Sequence, residues 1–164
     1  MSRMTCFFIL NFADMNIVEL LVLLQIKGFY RISHFFLVFL GLEIPKAVTF
    51  KGLPGKSVKF VHRSPGTVFH PRTTIGNNVH IYQNVTIGKA RLWDDSQENG
   101  CCYIHDNAIL CSGAKILFKN ELLSVGEGTV IGANAVLTQS TGEYEIWAGI
   151  PAKKIGVRPK SVQS

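Results

Sequence analysis

The 164-residue chain is poor in charge and in cysteine, and no apolar run in it has membrane-spanning length. Charged residues make up 17% against 47% hydrophobic ones, which excludes a highly charged, disordered segment as the main state. The length suits one domain, or one domain with a short appendage, and is too small for a two-domain enzyme. The four cysteines, Cys6, Cys101, Cys102 and Cys111, show no C-x-x-C spacing, and the adjacent pair is poorly placed for an intrachain bridge. A disulfide framework and a zinc knuckle are both excluded, no metal is expected, and reduced thiols in the cytoplasm are. The longest uncharged stretch of the apolar N-terminal part, 32–42, falls well short of the ~20 residues that a transmembrane helix needs.

What the chain does have begins with that N-terminal part. Residues 1–42 carry CFFIL, IVELLVLLQI and HFFLVFLGL and are far more apolar than the rest. They lack a small-residue cleavage site, and Asp14 and Glu19 stand where a secretory leader would be basic. Two short helices joined near Lys27 and Gly28 are expected, packed on a neighbouring subunit or domain. The alternative is a helix lying on a membrane surface, which would bring the protein to the inner face of the membrane. The surplus of 17 basic over 11 acidic residues, +6 in all, suits phosphates, acidic cofactors or anionic lipid. The basic residues are scattered, with no aromatic interleaving and no helix-turn-helix or zinc-finger spacing, so nucleic acid is excluded as a partner.

Beyond Leu42 the texture changes to Gly, Pro, Asn and Thr punctuating single aliphatics. Ile75, Ile81 and Ile87 are spaced by six, as are Ile104, Leu110 and Ile116, and again Val125, Ile131 and Leu137. Two residues earlier stand the small or β-branched Val79, Val85, Ala108, Ala114 and Ala135. One residue later come Gly76, Gly88, Gly126 and Gly132, read as tight corners at positive φ. A six-residue unit is too short to be a domain, so it must be one side of a coil whose interior is filled by stacking turns. Two spacings break the rule: Ile87 to Ile104 is seventeen and Ile116 to Val125 is nine. The larger insertion, 88–103, is a polar excursion of the sort that often carries substrate contacts.

The run GTVFHPRTTIGNNVHIYQNVTIG, then ILCSGAKIL, IGANAVLT and the closing WAGIPAKKIG, resembles the hexapeptide-repeat acyltransferases. It is similar in particular to their serine acetyltransferase-like branch, which includes capsule and exopolysaccharide O-acetyltransferases. The resemblance covers 43–156, leaving 157–164 as a tail. It implies an all-β fold, a left-handed parallel β-helix with a short α-helical N-terminal segment, a homotrimer or larger oligomer, and acetyl-CoA as donor.

Acyl transfer from a thioester to an alcohol needs a base that is neutral near pH 7. His62, in FVHRSPGTV just before the repeats become regular, stands where the family has its catalytic His. His70, His80 and His105 lie within repeat units and are expected to point outward. Glu43, in GLEIP, corresponds to the family's orienting acid, which would fix the imidazole tautomer and stabilise the imidazolium. No G-x-S-x-G occurs, and no activating base accompanies Cys101 or Cys102, so direct transfer is the simpler mechanism. For the donor, the resemblance implies Ser112 and Gly113, Ala133, Thr138 and Lys153, and Lys154 is a further partner for CoA phosphates. Where many relatives carry Lys after the Thr, this chain has Gln139.

Two departures bear on the acceptor. The acid that precedes the catalytic His in serine acetyltransferases is Val61 here, and their downstream R-H-P reads Gly100, Cys101, Cys102. Both charged handles for a zwitterion are then missing from those positions. The 88–103 insertion offers Trp93 to stack on a sugar face and Asp94 to accept hydroxyl hydrogens, with Cys101 at its end. The expected acceptor is therefore a sugar hydroxyl in surface polysaccharide biosynthesis, with serine as the alternative and a non-catalytic trimeric module as the rival of another class.

Overall fold

A computed structural model describes residues 15–55, 57–91, 100–119 and 121–160. Asn16 opens helix α1 (Ile17–Ile26): its side-chain oxygen accepts from the N–H groups of Val18 and Glu19, and Glu19 reaches back to the Asn16 N–H. This is a reciprocal capping box, satisfying donors that a helix start otherwise leaves unpaired. Gly28, at φ 104°, turns the chain into α2 (Tyr30–Phe39). The helices fall where the sequence puts them, and α1 packs on the repeat domain, one of the two partners expected for it. Helix α1 buries Val18, Leu21 and Val22 in the same core as the strands and packs on α2 and on this chain's own β2 (Val58–Phe60). Helix α2 buries only Ser33 and Leu37 and leaves Ile32, Phe35 and Phe39 exposed.

After the helices the chain winds through three sheets in a fixed order. Sheet I stacks β1 (Thr49–Phe50), β4 (Thr73–Ile75), β7 (Cys101–Ile104) and β10 (Leu122–Val125). Sheet II stacks β2, β5 (Val79–Ile81), β8 (Ile109–Leu110), β11 (Val130–Ile131) and β13 (Glu145–Ala148), closed by β14 (Lys153–Val157). Sheet III stacks β3 (Val68–Phe69), β6 (Thr86–Lys89), β9 (Lys115–Phe118) and β12 (Val136–Leu137). Each circuit thus gives one strand to each sheet, and every pairing between circuits is parallel. The exception is β14, which pairs antiparallel with β13 and closes that end of sheet II.

The six-residue rhythm is the rhythm of the core. Ile75, Ile104 and Val125 stand in register in sheet I, Ile81, Leu110 and Ile131 in sheet II, and Ile87, Ile116 and Leu137 in sheet III. All nine are buried, as are Val79, Val85, Ala108, Ala114 and Ala135 between them. The first circuit carries the same columns downward with aromatic residues, Phe50 under Ile75, Phe60 under Ile81 and Phe69 under Ile87. Trp147 caps the sheet II column above Ile131.

The corner chemistry corrects the sequence reading. Gly76, Gly88, Gly126 and Gly132 do not have positive φ; that conformation falls three residues after the inward position, at Asn78, Asn84, Asn107, Gly113, Gly128 and Asn134. Asparagine tolerates the left-handed region better than most side chains. Gly126 is small for another reason, close approach: a Cβ there would collide with the carbonyl of Gly142 in the next circuit. The larger insertion is also narrower than 88–103, since β6 runs to Lys89 and β7 starts at Cys101.

Candidate active site

His62 lies on the corner that leads from sheet II to sheet III, in a single 3-10 turn (Val61–Arg63). The backbone there is unusual: His62, Arg63 and Ser64 have φ of 55°, 64° and 46°, three consecutive non-glycine residues in the left-handed region. Each such residue costs ~1–2 kcal/mol, so the surroundings must hold the turn in place. They do so from both sides. Before the turn, the Phe60 N–H donates to Glu19 Oε1 at 3.0 Å and Asn16 Nδ2 donates to the Phe60 carbonyl at 2.8 Å. After it, the buried Ser64 hydroxyl donates to the Ile81 carbonyl at 2.6 Å. The result is an exposed imidazole on a fixed backbone, edge-on to Tyr82 of the next circuit at 6.2 Å between ring centres. A cavity of about 300 Å³ opens beside it, lined by Asn16, Glu19, Lys59, Phe60 and His62 among others.

The same corner recurs in each circuit above. Asn84 donates its N–H to the Pro65 carbonyl at 2.8 Å, Gly113 to Gln83 at 2.9 Å and Asn134 to Ser112 at 2.9 Å. Ser112, Gly113 and Ala133 therefore stand on the edge that carries His62. Circuits are ~4.8 Å apart, so Ser112, two circuits up, is on the order of 10 Å from His62 along this edge. The turn preceding β14 comes back toward the same edge, with the Gly149 carbonyl accepting from Val136 N–H at 3.0 Å and Ala152 N–H donating to Val136 at 2.8 Å.

The other sequence candidates lie elsewhere. Thr138 follows β12 at the opposite margin of sheet III, beside Lys119 and Gln139. Lys153 and Lys154 open β14, and Lys154 is paired with Glu145 at 2.8 Å, an ion pair that holds the Glu145 carboxyl below its usual range. Glu43 continues sheet III below β3: its N–H donates to Thr67 and its carbonyl accepts from Phe69, both at 2.9 Å, while its side chain is exposed. Among the described residues no hydrogen bond joins the Glu43 carboxylate to the His62 ring. Cys101 begins β7 half-buried, and Cys102 beside it points inward, where burial pushes its thiol far up and leaves it no nucleophile. Trp93 and Asp94 lie outside the described residues.

His80 sits on the outer face of β5 between buried Val79 and Ile81, and His70 packs edge-on against Phe118. Burial, then nearby cations, Lys59 and Arg158 for His80 and Lys89 and Arg72 for His70, lower the pKa of both. His105 shares a hydrogen bond with Ser124 Oγ at 2.9 Å. Among the described residues no group of three His, Cys, Asp or Glu side chains could hold a metal ion, and no helix is long and apolar enough to cross a membrane. Asn16 and Glu19 were not among the sequence candidates. The signal that could have found them is the N-x-x-E spacing of a capping box ahead of an apolar run.

No family model matches the chain. Among curated proteins it is similar to the serine acetyltransferase of Staphylococcus aureus (strain Mu50 / ATCC 700699), 36% identical over 138 residues that make up 80% of this chain and 57% of that one. It is also similar to the serine acetyltransferase of Bacillus subtilis (strain 168), 31% identical over 135 residues, 81% of this chain and 55% of that one. The chain thus spans little more than half the length of these relatives. Among solved structures, a serine acetyltransferase in complex with CoA superimposes with a TM-score of 0.61 at 26% identity, over 84% of this chain and 52% of that one. In sequence and in fold, the chain is a relative of the serine acetyltransferases, within the hexapeptide-repeat acyltransferases.

Proposed function

We propose that the protein is an acetyl-CoA-dependent O-acetyltransferase that works by direct transfer, with His62 as general base. The observation that carries this is the shared edge: an exposed imidazole on a braced, left-handed turn, with the Ser112, Gly113 and Ala133 corners stacked above it. The imidazole takes the proton of an acceptor hydroxyl as its oxygen attacks the thioester carbonyl. The C–S bond then breaks, and the leaving thiolate recovers the proton from the imidazolium, giving an ester and free CoA. Glu43 is the acid that would orient His62, the donor runs along the edge past Ser112, Gly113 and Ala133, and Lys153 and Lys154 meet its phosphates, while Thr138, at the opposite margin of sheet III, stands off this path. The coil is read as the left-handed β-helix of the family, and the protein as a homotrimer or larger.

For the acceptor, the relatives' names favour serine over a sugar, and the sugar reading has no support among the described residues, since Trp93 and Asp94 lie outside them. Val61 and the Gly100, Cys101, Cys102 stretch are where the chain lacks the charged handles that the resemblance would lead one to expect for serine. Thiol release from acetyl-CoA decides the matter. With L-serine, kcat/KM in the ordinary enzyme range of ~10⁴ M⁻¹s⁻¹ or above is expected. Release stimulated by sugars and not by serine overturns the serine assignment, and no release with any hydroxyl acceptor overturns the enzyme.

A further inference from the structure

We infer that Glu19 is the positioning residue of the His62 turn, acting on it through the backbone of Phe60. This rests on the reading of His62 as the base. The Glu19 carboxylate is buried, 4% exposed, and divides its two oxygens between two elements. Oε2 accepts the Asn16 N–H at 3.0 Å and completes the helix cap; Oε1 accepts the Phe60 N–H at 3.0 Å across forty-one residues of sequence. Asn16 repeats the bridge in the other sense, since its Oδ1 caps the helix while its Nδ2 donates to the Phe60 carbonyl. Both polar groups of Phe60 are thereby gripped by the two side chains that cap α1. Two residues later the backbone enters the left-handed run that carries the imidazole.

A helix cap alone would use one carboxylate oxygen, and it would not need burial against β2. Without the second bond, the Phe60 N–H loses its partner at the start of the strained turn, and the register between His62 and the corners above it relaxes. Reaction geometry tolerates little of this, since a displacement of ~1 Å can cost 10²-fold in rate.

The test compares Glu19→Ala and Glu19→Gln with the full unmodified chain. Glu19→Ala is expected to lower kcat roughly 10- to 10²-fold with KM for acetyl-CoA unchanged. Glu19→Gln keeps one acceptor oxygen for a single N–H and is expected to recover part of that loss. Val22→Ala, a cavity in the same helix away from the turn, serves as the stability control and is expected to leave kcat unchanged. In parallel, the imidazole NMR signals of His62, assigned by their loss in His62→Asn, are expected to move in both Glu19 variants and not in Val22→Ala. This readout needs no activity, so it stands even if the acetyl-transfer assignment fails. Should Glu19→Ala not fold, the Gln variant carries both measurements. Unmoved His62 signals and full kcat in a folded Glu19 variant overturn the inference, as does a loss of kcat in Val22→Ala equal to that in Glu19→Ala.

Discussion

The circuits between Thr73 and Leu137 and the first circuit below them share the same inward columns but are built by different rules. The upper circuits repeat a six-residue side, fill the interior with Ile, Leu, Val and Ala, and turn their corners through isolated Asn or Gly residues at positive φ. The first circuit spaces its inward residues unevenly, at Phe50, Phe60 and Phe69, fills the interior with aromatic rings, and runs three non-glycine residues in succession through the left-handed region. Where the repeat is regular, each circuit is stabilised by its neighbours. Where it is irregular, the backbone is held by side chains from outside the coil, Asn16 and Glu19 of α1. The contrast separates scaffold from site. The strain collects at the turn proposed to carry the base, beside a rigid stack that can bear the cost.

The sharpest way to break this comparison is at the site itself. His62→Asn is expected to reduce turnover by roughly 10² to 10⁴, the usual worth of a positioned general base, with CoA binding and thermal midpoint nearly unchanged. The ring is exposed and lies edge-on to Tyr82, so little of the fold is expected to depend on it. Steady-state kinetics beside a melting curve read both halves. The opposite pattern is expected in the stack. Leu110→Ala, in the middle of the sheet II column, should cost ~2–5 kcal/mol in denaturant unfolding and leave kcat per folded molecule intact. If the two substitutions trade their signatures, the division between site and scaffold is wrong.

The same division explains what could be read from the sequence. The nine inward aliphatics announced themselves because a stacked coil repeats one environment, and periodicity reports a repeated environment. Phe50, Phe60 and Phe69 occupy the same columns but follow no six-residue spacing, so the first circuit was invisible as a circuit. His62 is singled out by the resemblance of its segment, not by any period, and its role as base belongs to the proposed function. Asn16 and Glu19 escaped because their role joins residues more than forty positions apart, and local pattern carries no trace of such a bond except the cap that accompanies it. The corner residues were misplaced for a physical reason: glycine serves close approach at Gly126, whereas the left-handed step at most corners is taken by asparagine.

That last point sharpens the comparison at a smaller scale. Asn134 is exposed and turns a regular corner at φ 55°. Asn134→Gly should leave stability within about 0.5 kcal/mol, while Asn134→Ala should cost ~1 kcal/mol, because alanine has neither glycine's freedom nor asparagine's tolerance of the left-handed region. Equal stability of the two variants would mean that the corner draws its stability from the asparagine amide and not from its backbone.

The smallest expected effect concerns pH and belongs to the regular circuits. His80 is half-buried on β5, and burial, Lys59 and Arg158 together depress its pKa from the ordinary 6.5. The folded protein therefore resists taking the proton that the unfolded chain accepts more readily. Stability is complete above pH 6.5, falls as acidification passes below that value, and stops falling once the pH is under the folded-state pKa. His70 adds a share of the same sign through its own burial and the nearby Lys89 and Arg72. Urea midpoints taken between pH 7.5 and about pH 5 should decline for the unmodified chain, and His80→Asn should flatten part of that decline. A midpoint that rises on acidification, or a slope that His80→Asn leaves untouched, would remove His80 from the account of acid sensitivity and leave it with His70 and the carboxylates.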